Sequence, residues 1–420
     1  MNAFSKEERV AFDQVILGFE DYLVLSKNVS KYQTSGTDME RSNDTIWRPQ
    51  PYIAQSYDGL DQTGNFNAAT QLSVPATLGF LKSSPWVMDA KELRDALQSD
   101  RLGEAAKQKL ASDINIAIMN VVTNQSSLVV AQPGAATGFD DVALCDSIMN
   151  EQGVPMIDRY LALSSRDYNS MAGNLAARQT LTGKPLTAYE KAYVGQVSSF
   201  ETYKLDYANR LTAAVATGIT MDTQVGAVNY YTPRATSTAA GTGETSNVDN
   251  RFQTITVSST TGIKAGDAFT IAGVEAVHHI TKEPTGQLKT FRVISVESGT
   301  TLKITAPIVS GQGGTDAELR YKNVEVTGVA SAAIVFLNTV TAAANPFWVK
   351  DAIEILPGSL SVDSGAGVGV MRATLENGIE VVMTKQWDVQ LMKNLYRMDV
   401  LFGVVNKQPE MSGILLFGQV

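Results

Sequence analysis

Cysteine is almost missing from this sequence, with Cys145 standing alone. One thiol excludes an intrachain disulfide and a thiolate metal cage, and it fits a reducing compartment. Cys145 itself reads as a small, inert core residue. Histidine is nearly as scarce, since only His278 and His279 occur. Adjacent residues on a strand point to opposite faces, so one pocket cannot easily use both, and the pair reads as surface or barrel-wall residues. No run approaches the roughly 18 apolar residues of a membrane span. The N-terminus, MNAFSKEERVAFDQ, lacks the basic and apolar regions of a secretory signal.

Catalytic motifs are missing too. Nothing resembles G-x-S-x-G, and a Ser-His-Asp arrangement would need one of the two histidines. Gly241-Thr242-Gly243-Glu244-Thr245-Ser246 has glycines but no Lys before a hydroxyl residue, so it is no phosphate loop. Gly183-Lys184 fails because Pro185 takes the hydroxyl position. Gly365-Ala366-Gly367-Val368-Gly369 departs from G-x-G-x-x-G and precedes a strand. No enzyme activity, cofactor or metal is therefore expected. A net charge of −9 argues against a chain whose main task is to grip nucleic acid, because that needs clustered Lys and Arg to displace counterions.

What remains is an ordinary globular composition, 44% hydrophobic and 18% charged, in 420 residues. That length exceeds the roughly 250–300 residues of a single core, so two or more domains are expected. Phe12, Ile16, Phe19 and Leu23 fall at helical spacing and form an amphipathic arm, free to dock on its own chain or on a neighbour. From 44 to 81, prolines and glycines favour an extended hairpin or loop whose tip is GLDQTGNFN at 59–67. The strongest helix signal runs from Asp89 to Gln125, with Leu93, Leu97, Leu102, Ala106, Leu110, Ile114 and Ile118 on one stripe. Further helices are expected at 141–152 and 189–196.

From 223 to 344 the chain turns rich in Thr, Gly, Val and Ser, as if one fold interrupts another. Six strands are expected there, near 252–258, 267–272, 274–279, 288–296, 300–305 and 318–327, suggesting a small barrel or sandwich. The stretch 236–247 reads as a loop. Beyond it, 371–375 and 379–383 read as a hairpin turning at Glu376-Asn377-Gly378.

The segments MERSNDTIWRP (39–49), KELRD (91–95), AKQKLASDINIAIMNVVTNQSSLVV (106–130), ATGIT (216–220), VDNRFQTITVSSTTGIKAGDAFTIAGV (248–274) and NPFWVKDAIEI (345–355) occur in one order along the chain. In them the sequence resembles the major coat proteins of short-tailed double-stranded-DNA phages of enteric bacteria. The resemblance implies an α+β fold, the Hong Kong phage-type capsid fold, with a six-stranded β-barrel inserted in it. It implies an N-terminal arm at 1–38, an extended loop and peripheral domain with a spine helix at 39–129, an axial domain at 130–222 and 345–420, and the inserted barrel at 223–344.

It further implies a virion protein that assembles with itself, as hexamers and pentamers, into an icosahedral T=7 shell in the host cytoplasm. Its other partners would be a portal protein and the packaged DNA, held without sequence-specific binding, with no membrane involved. Because coat-like sequence starts almost at once, a separate scaffolding protein is expected, and procapsid assembly would depend on it. The inserted domain in such proteins aids folding and reaches across between capsomers through an acidic loop. The matching loop here is 236–250, so Glu244, Asp249 and Arg251 are the candidate inter-subunit contacts. A carbohydrate-binding surface protein is the alternative from another class, with a carboxylate-based hydrolase third.

Overall fold

The computed structural model describes residues 4, 6–19, 23–32, 45–66, 69–89, 96–177, 194–222, 230–327, 330–362, 368–375 and 377–420. The chain is α+β, with five α-helices and many strands among the described residues. It divides into two compact units: one holds 1–46, 75–120 and 353–405, the other 47–74, 121–352 and 406–420.

The first unit is built on helices α1 (Lys6–Phe19) and α2 (Ala96–Gln125) and a mostly antiparallel sheet. Helix α2 exists because Ala106, Leu110, Ile114 and Ile118 recur every four residues and all are buried. At 1.5 Å per residue its 30 residues make a rod about 45 Å long. Of its expected start, residues 90–95 lie outside the described residues, and Asp89 ends the strand Phe80–Asp89, which has alternating exposure and pairs with Lys393–Phe402 through its whole length. Leu93 and the side chain of Leu97 lie outside the described residues.

The arm docks on its own chain. Phe12, Val15 and Leu23 are buried, and Glu8 of α1 binds both Lys385 Nζ at 2.6 Å and the Tyr396 hydroxyl at 2.9 Å. The expected hairpin is present as Gly369–Thr374 and Glu380–Asp388, in register from Gly369↔Lys385 to Thr374↔Glu380.

The second unit contains a six-stranded sheet in the order Leu128–Ala131, Ser412–Leu416, Asn345–Val349, Arg159–Ser164, Phe200–Leu205, Gln196–Val197. Helices α3 (Phe139–Glu151) and α4 (Ser165–Ala176) contribute to its core, where Val142, Cys145, Met149 and Met171 join Leu161, Phe200 and Phe347. Cys145 is fully buried, as expected, and burial pushes its thiol far up. Of the helix expected at 189–196, residues 189–193 lie outside the described residues and Gln196 opens a short strand.

The same unit carries a second sheet of five strands, not six, in the order Gln253–Thr256, Thr301–Thr305, Pro284–Val296, Ala268–Val277, Ile334–Phe336. Three local causes account for the difference. The strands expected at 267–272 and 274–279 are one bent strand, because Gly273 at φ +79° lets the chain bulge between Thr270 and Glu275. The strand expected at 318–327 is replaced by helix α5 (Asp316–Tyr321), whose N-cap Thr315 hydroxyl accepts from the Glu318 amide. Ile334–Phe336 supplies an edge strand the pattern did not reveal.

The edges of this sheet are joined by neither strand ladder, but Met221 bridges Val257 and Thr220 bridges Ala333. Inside lie Ile255, Val257, Phe269, Ile271, Phe291, Val293 and Ile304. Phe269 stacks on Phe291 at 5.7 Å.

Truncating that pair's first member tests the packing. Phe269→Ala is expected to cost the intact subunit about 3–5 kcal/mol, as buried Phe→Ala changes do. Native-state hydrogen exchange of the 268–277 and 284–296 amides would register the loss. Protection unchanged in both strands would show that this core does not hold the sheet.

Candidate interaction surface and buried charge cluster

The residues singled out by sequence sit on or beside an exposed hairpin. Thr236–Thr238 pairs with Thr245–Asn247, so the expected loop is a two-stranded ribbon; alternating Thr and Ser suit a strand even when both faces are wet. Gly243, at φ +69°, closes its turn, with its amide donating to the Ala239 carbonyl at 2.8 Å. Glu244 stands exposed at this end. At the hairpin's base, buried Asn250 donates to the carbonyls of Arg234 and Val248 and accepts from the Tyr231 hydroxyl at 3.0 Å.

The three candidate contacts therefore separate. Asp249 and Arg251 face each other, Nε to Oδ1 at 2.9 Å and Nη2 to Oδ2 at 2.7 Å, a bidentate pair. Arg251 is buried, donates through Nη1 to the Asn406 carbonyl at 3.0 Å, and lies over the Phe252 ring at 4.9 Å. Its guanidinium is thus spent inside the chain. Glu244 alone of the three presents an exposed charge.

A second exposed feature is the segment 50–72, between the paired strands Thr45–Pro49 and Ser73–Thr77. Its two ends are tied down: Gln50 Nε2 donates to the Lys407 carbonyl at 2.7 Å, and the Tyr321 hydroxyl donates to the Thr70 carbonyl at 2.9 Å. Between them Leu60 and Phe66 are 105% and 89% exposed. Of the expected tip, Asn67 lies outside the described residues.

Sequence reasoning missed a buried polar cluster. Lys289, on Pro284–Val296, is fully buried, and its Nζ donates to Glu410 Oε1 at 2.5 Å and Gln152 Oε1 at 3.1 Å. Asn323 Nδ2 donates to the same Glu410 oxygen at 2.9 Å. His279 is buried beside it, Nε2 at 3.5 Å from Glu410 Oε2, and no hydrogen bond to that nitrogen is formed. His278 points elsewhere; its Nδ1 accepts from the amides of Ile280 and Thr281 at 3.2 Å. A cavity of about 60 Å³ borders Asn323, His279 and Glu410.

Burial alone would raise the Glu410 carboxyl, but Lys289, His279 and the two donated hydrogen bonds outweigh it and hold it at about 2. Burial pushes the His279 imidazole down to about 4; Glu410 opposes the shift, while Lys289, Lys282 and His278 add to it. The only readable signal for this cluster was a pair of histidines in a strand-rich stretch, and its other members are scattered from Gln152 to Glu410. Among the described residues no three His, Cys, Asp or Glu side chains gather as a metal would require, and no helix is long and apolar enough to cross a membrane.

The low His279 value fixes a pH dependence. A depressed folded value means that below about pH 6.5 the unfolded chain takes up a proton that the folded chain refuses, down to about pH 4. This contribution is harmless above pH 6.5 and costs about 2–3 kcal/mol of stability by pH 4.5. Urea unfolding at pH 7 and 4.5 is expected to show a smaller pH effect in His279→Gln by that amount. An identical pH effect in wild type and variant would contradict it.

Comparison with known proteins follows the same outline. The chain shares 41% identity with the CUS-3 coat protein I-domain, covering 29% of this chain and 98% of that one at a TM-score of 0.23. A chain from Mycobacterium phage Che8 aligns over 94% of this chain and 90% of its own, at 8% identity and a TM-score of 0.45. A chain from the capsid of the cyanophage P-SCSP1u aligns over 93% and 85%, at 12% identity and 0.40. The family model described as P22 coat protein, gene protein 5, matches residues 2–418. With essentially its whole length matched, this chain belongs to the P22 coat protein family of phage capsid proteins.

Proposed function

We propose that this chain is the major capsid subunit of a double-stranded-DNA phage, assembling in the host cytoplasm as hexamers and pentamers into an icosahedral T=7 shell that encloses the packaged genome. The observation that carries the reading is the family match from 2 to 418. In this reading 1–38 is the arm, 39–129 the extended loop and peripheral domain with α2 as spine, 130–222 with 345–420 the axial domain, and 223–344 an inserted barrel. The five-stranded sheet and the bridges of Thr220 and Met221 to it support that part of the reading.

Physical reasoning supports the same role. A closed shell repeats each contact many times, so individually weak contacts suffice and no subunit needs a strong one. The exposed hairpin and the tied segment with Leu60 and Phe66 outermost are surfaces of that kind. Weak contacts leave curvature poorly determined, so a separate scaffolding protein that templates it is part of the proposal, with a portal protein marking one vertex. The acidic balance of −9 suits a container that must release its DNA. Glu244 is proposed to meet a Lys or Arg of a neighbouring subunit, with Asp249 and Arg251 bracing the hairpin base.

Co-expression with the scaffolding protein should give megadalton shells by sedimentation and negative-stain microscopy. A small oligomer alone would overturn the reading and favour a binding protein.

Charge reversal probes the contact. Glu244→Lys is expected to lower the urea concentration at which assembled shells dissociate, each lost pair being worth about 0.2–1 kcal/mol but repeated around the shell. The subunit's own unfolding should not move, because the residue is exposed. Shells as resistant as wild type would remove Glu244 from the interface.

A further inference from the structure

Lys282, Lys289 and Lys322 share one neighbourhood, and only Lys282 has no acid of its own. Lys289 pairs with Glu410 at 2.5 Å and Lys322 with Glu325 at 2.5 Å. Lys282, in the turn between the strands Ala268–Val277 and Pro284–Val296, has no carboxylate at ion-pair distance among the described residues, and its Nζ donates instead to the Lys322 backbone carbonyl at 3.2 Å. The backbone keeps it there, since the Lys282 amide donates to the His278 carbonyl at 2.9 Å with φ at +62°. Lys289 is sealed inside the fold, whereas Lys282 is only half-buried and open to a small reagent. We infer that Lys282 is an activated amine, a site for covalent acylation by small acyl phosphates.

The chemistry follows from placement. An amine attacks only as the free base, and a site that denies the ammonium both water and a counter-charge supplies more of that form. Burial pushes the Lys282 ammonium down to about 8; Lys322 adds to the shift and Glu410 opposes it. An acyl phosphate is an anion, so the cations beside Lys282 draw the reagent in and favour the phosphate that leaves. That selects this class of donor over an uncharged one.

The balance is complete once the acyl phosphate is supplied. Nζ attacks the carbonyl carbon, the Nζ–C bond forms, and the bond from that carbon to the phosphate oxygen breaks. The proton shed by the nitrogen leaves as part of hydrogen phosphate. The product is a neutral amide that keeps one N–H for the Lys322 carbonyl and needs none of the solvation that an ammonium lacks there. Acylation also removes one of the positive charges that hold the His279 imidazole down.

Acetyl phosphate tests the site on the folded full-length chain near neutral pH. After timed exposure the chain is denatured and its remaining amines are blocked with isotopically labelled acetic anhydride, so mass spectrometry reads the acetylated fraction lysine by lysine. Lys282 is expected to react at least about tenfold faster than the exposed Lys109, while Lys289 stays unmodified. The Lys282 rate should level off above about pH 8, where that of free Nα-acetyl-lysine in the same tube still climbs. Lys322→Gln keeps the backbone carbonyl but removes a neighbouring cation, and should slow the reaction at Lys282. Concentrated urea should abolish the preference. Acetylation of Lys282 no faster than that of Lys109 overturns the inference. So does a preference that survives urea, which would be a property of the local sequence, or a rate that rises with pH in step with the free amino acid.

Discussion

A fully buried lysine must have its counter-charge delivered to it, and in this chain the delivery comes from far along the sequence. Lys289 lies in the five-stranded sheet; Glu410 lies in the short 3-10 turn Pro409–Met411, just before the strand Ser412–Leu416; Gln152 caps α3. None of the three segments can settle alone. Separating Lys289 from Glu410 would strand a charge in the core at a cost of about 3–5 kcal/mol, a large share of any domain's net stability. The pair joins the two sheets of this unit, beside the apolar cluster of Val129, Ala268, Ile414 and Leu416 that also spans them.

That arrangement explains where the interaction surfaces lie. Rigid interiors carry Phe269 with Phe291 on one side and Phe347 with Phe200 on the other, while the exposed hairpin and the segment 50–72 hang from them by short polar ties at Asn250, Gln50 and Tyr321. Fixed ends with free middles suit a subunit that meets several neighbours. Arg251 belongs to the ties and not to the free part, since its Nε, Nη1 and Nη2 all donate within the chain, to Asp249 and the Asn406 carbonyl. The buried cations Lys289, Arg159 and Arg251 are matched to oxygen atoms within the fold.

Much of this was legible in the sequence wherever neighbours in the chain decide the outcome. The four-residue spacing of Ala106, Leu110, Ile114 and Ile118 announced α2, and Asn377-Gly378 announced the hairpin after 369. Helix α5 was also legible: Thr315-Asp316-Ala317-Glu318 carries the S/T-x-x-E signature of a helix start. The bulge at Gly273 could be suspected from a glycine inside a strand pattern. The Lys289 cluster could not. Nothing local marks a lysine as buried, and its partners are distant in sequence, so only the folded chain brings the charges together.

The claim that Lys289 and Glu410 make one body of the two sheets is open to a single direct measurement, native-state hydrogen exchange of the full chain resolved at the strands 284–296 and 412–416. In the wild type both strands should exchange through a shared opening of the same free energy. In Glu410→Gln the strand 284–296 should open at least about 3 kcal/mol more easily, leaving 412–416 near its original protection. If the two strands already open independently in the wild type, or if Glu410→Gln leaves both unchanged, the buried pair does not organise this unit.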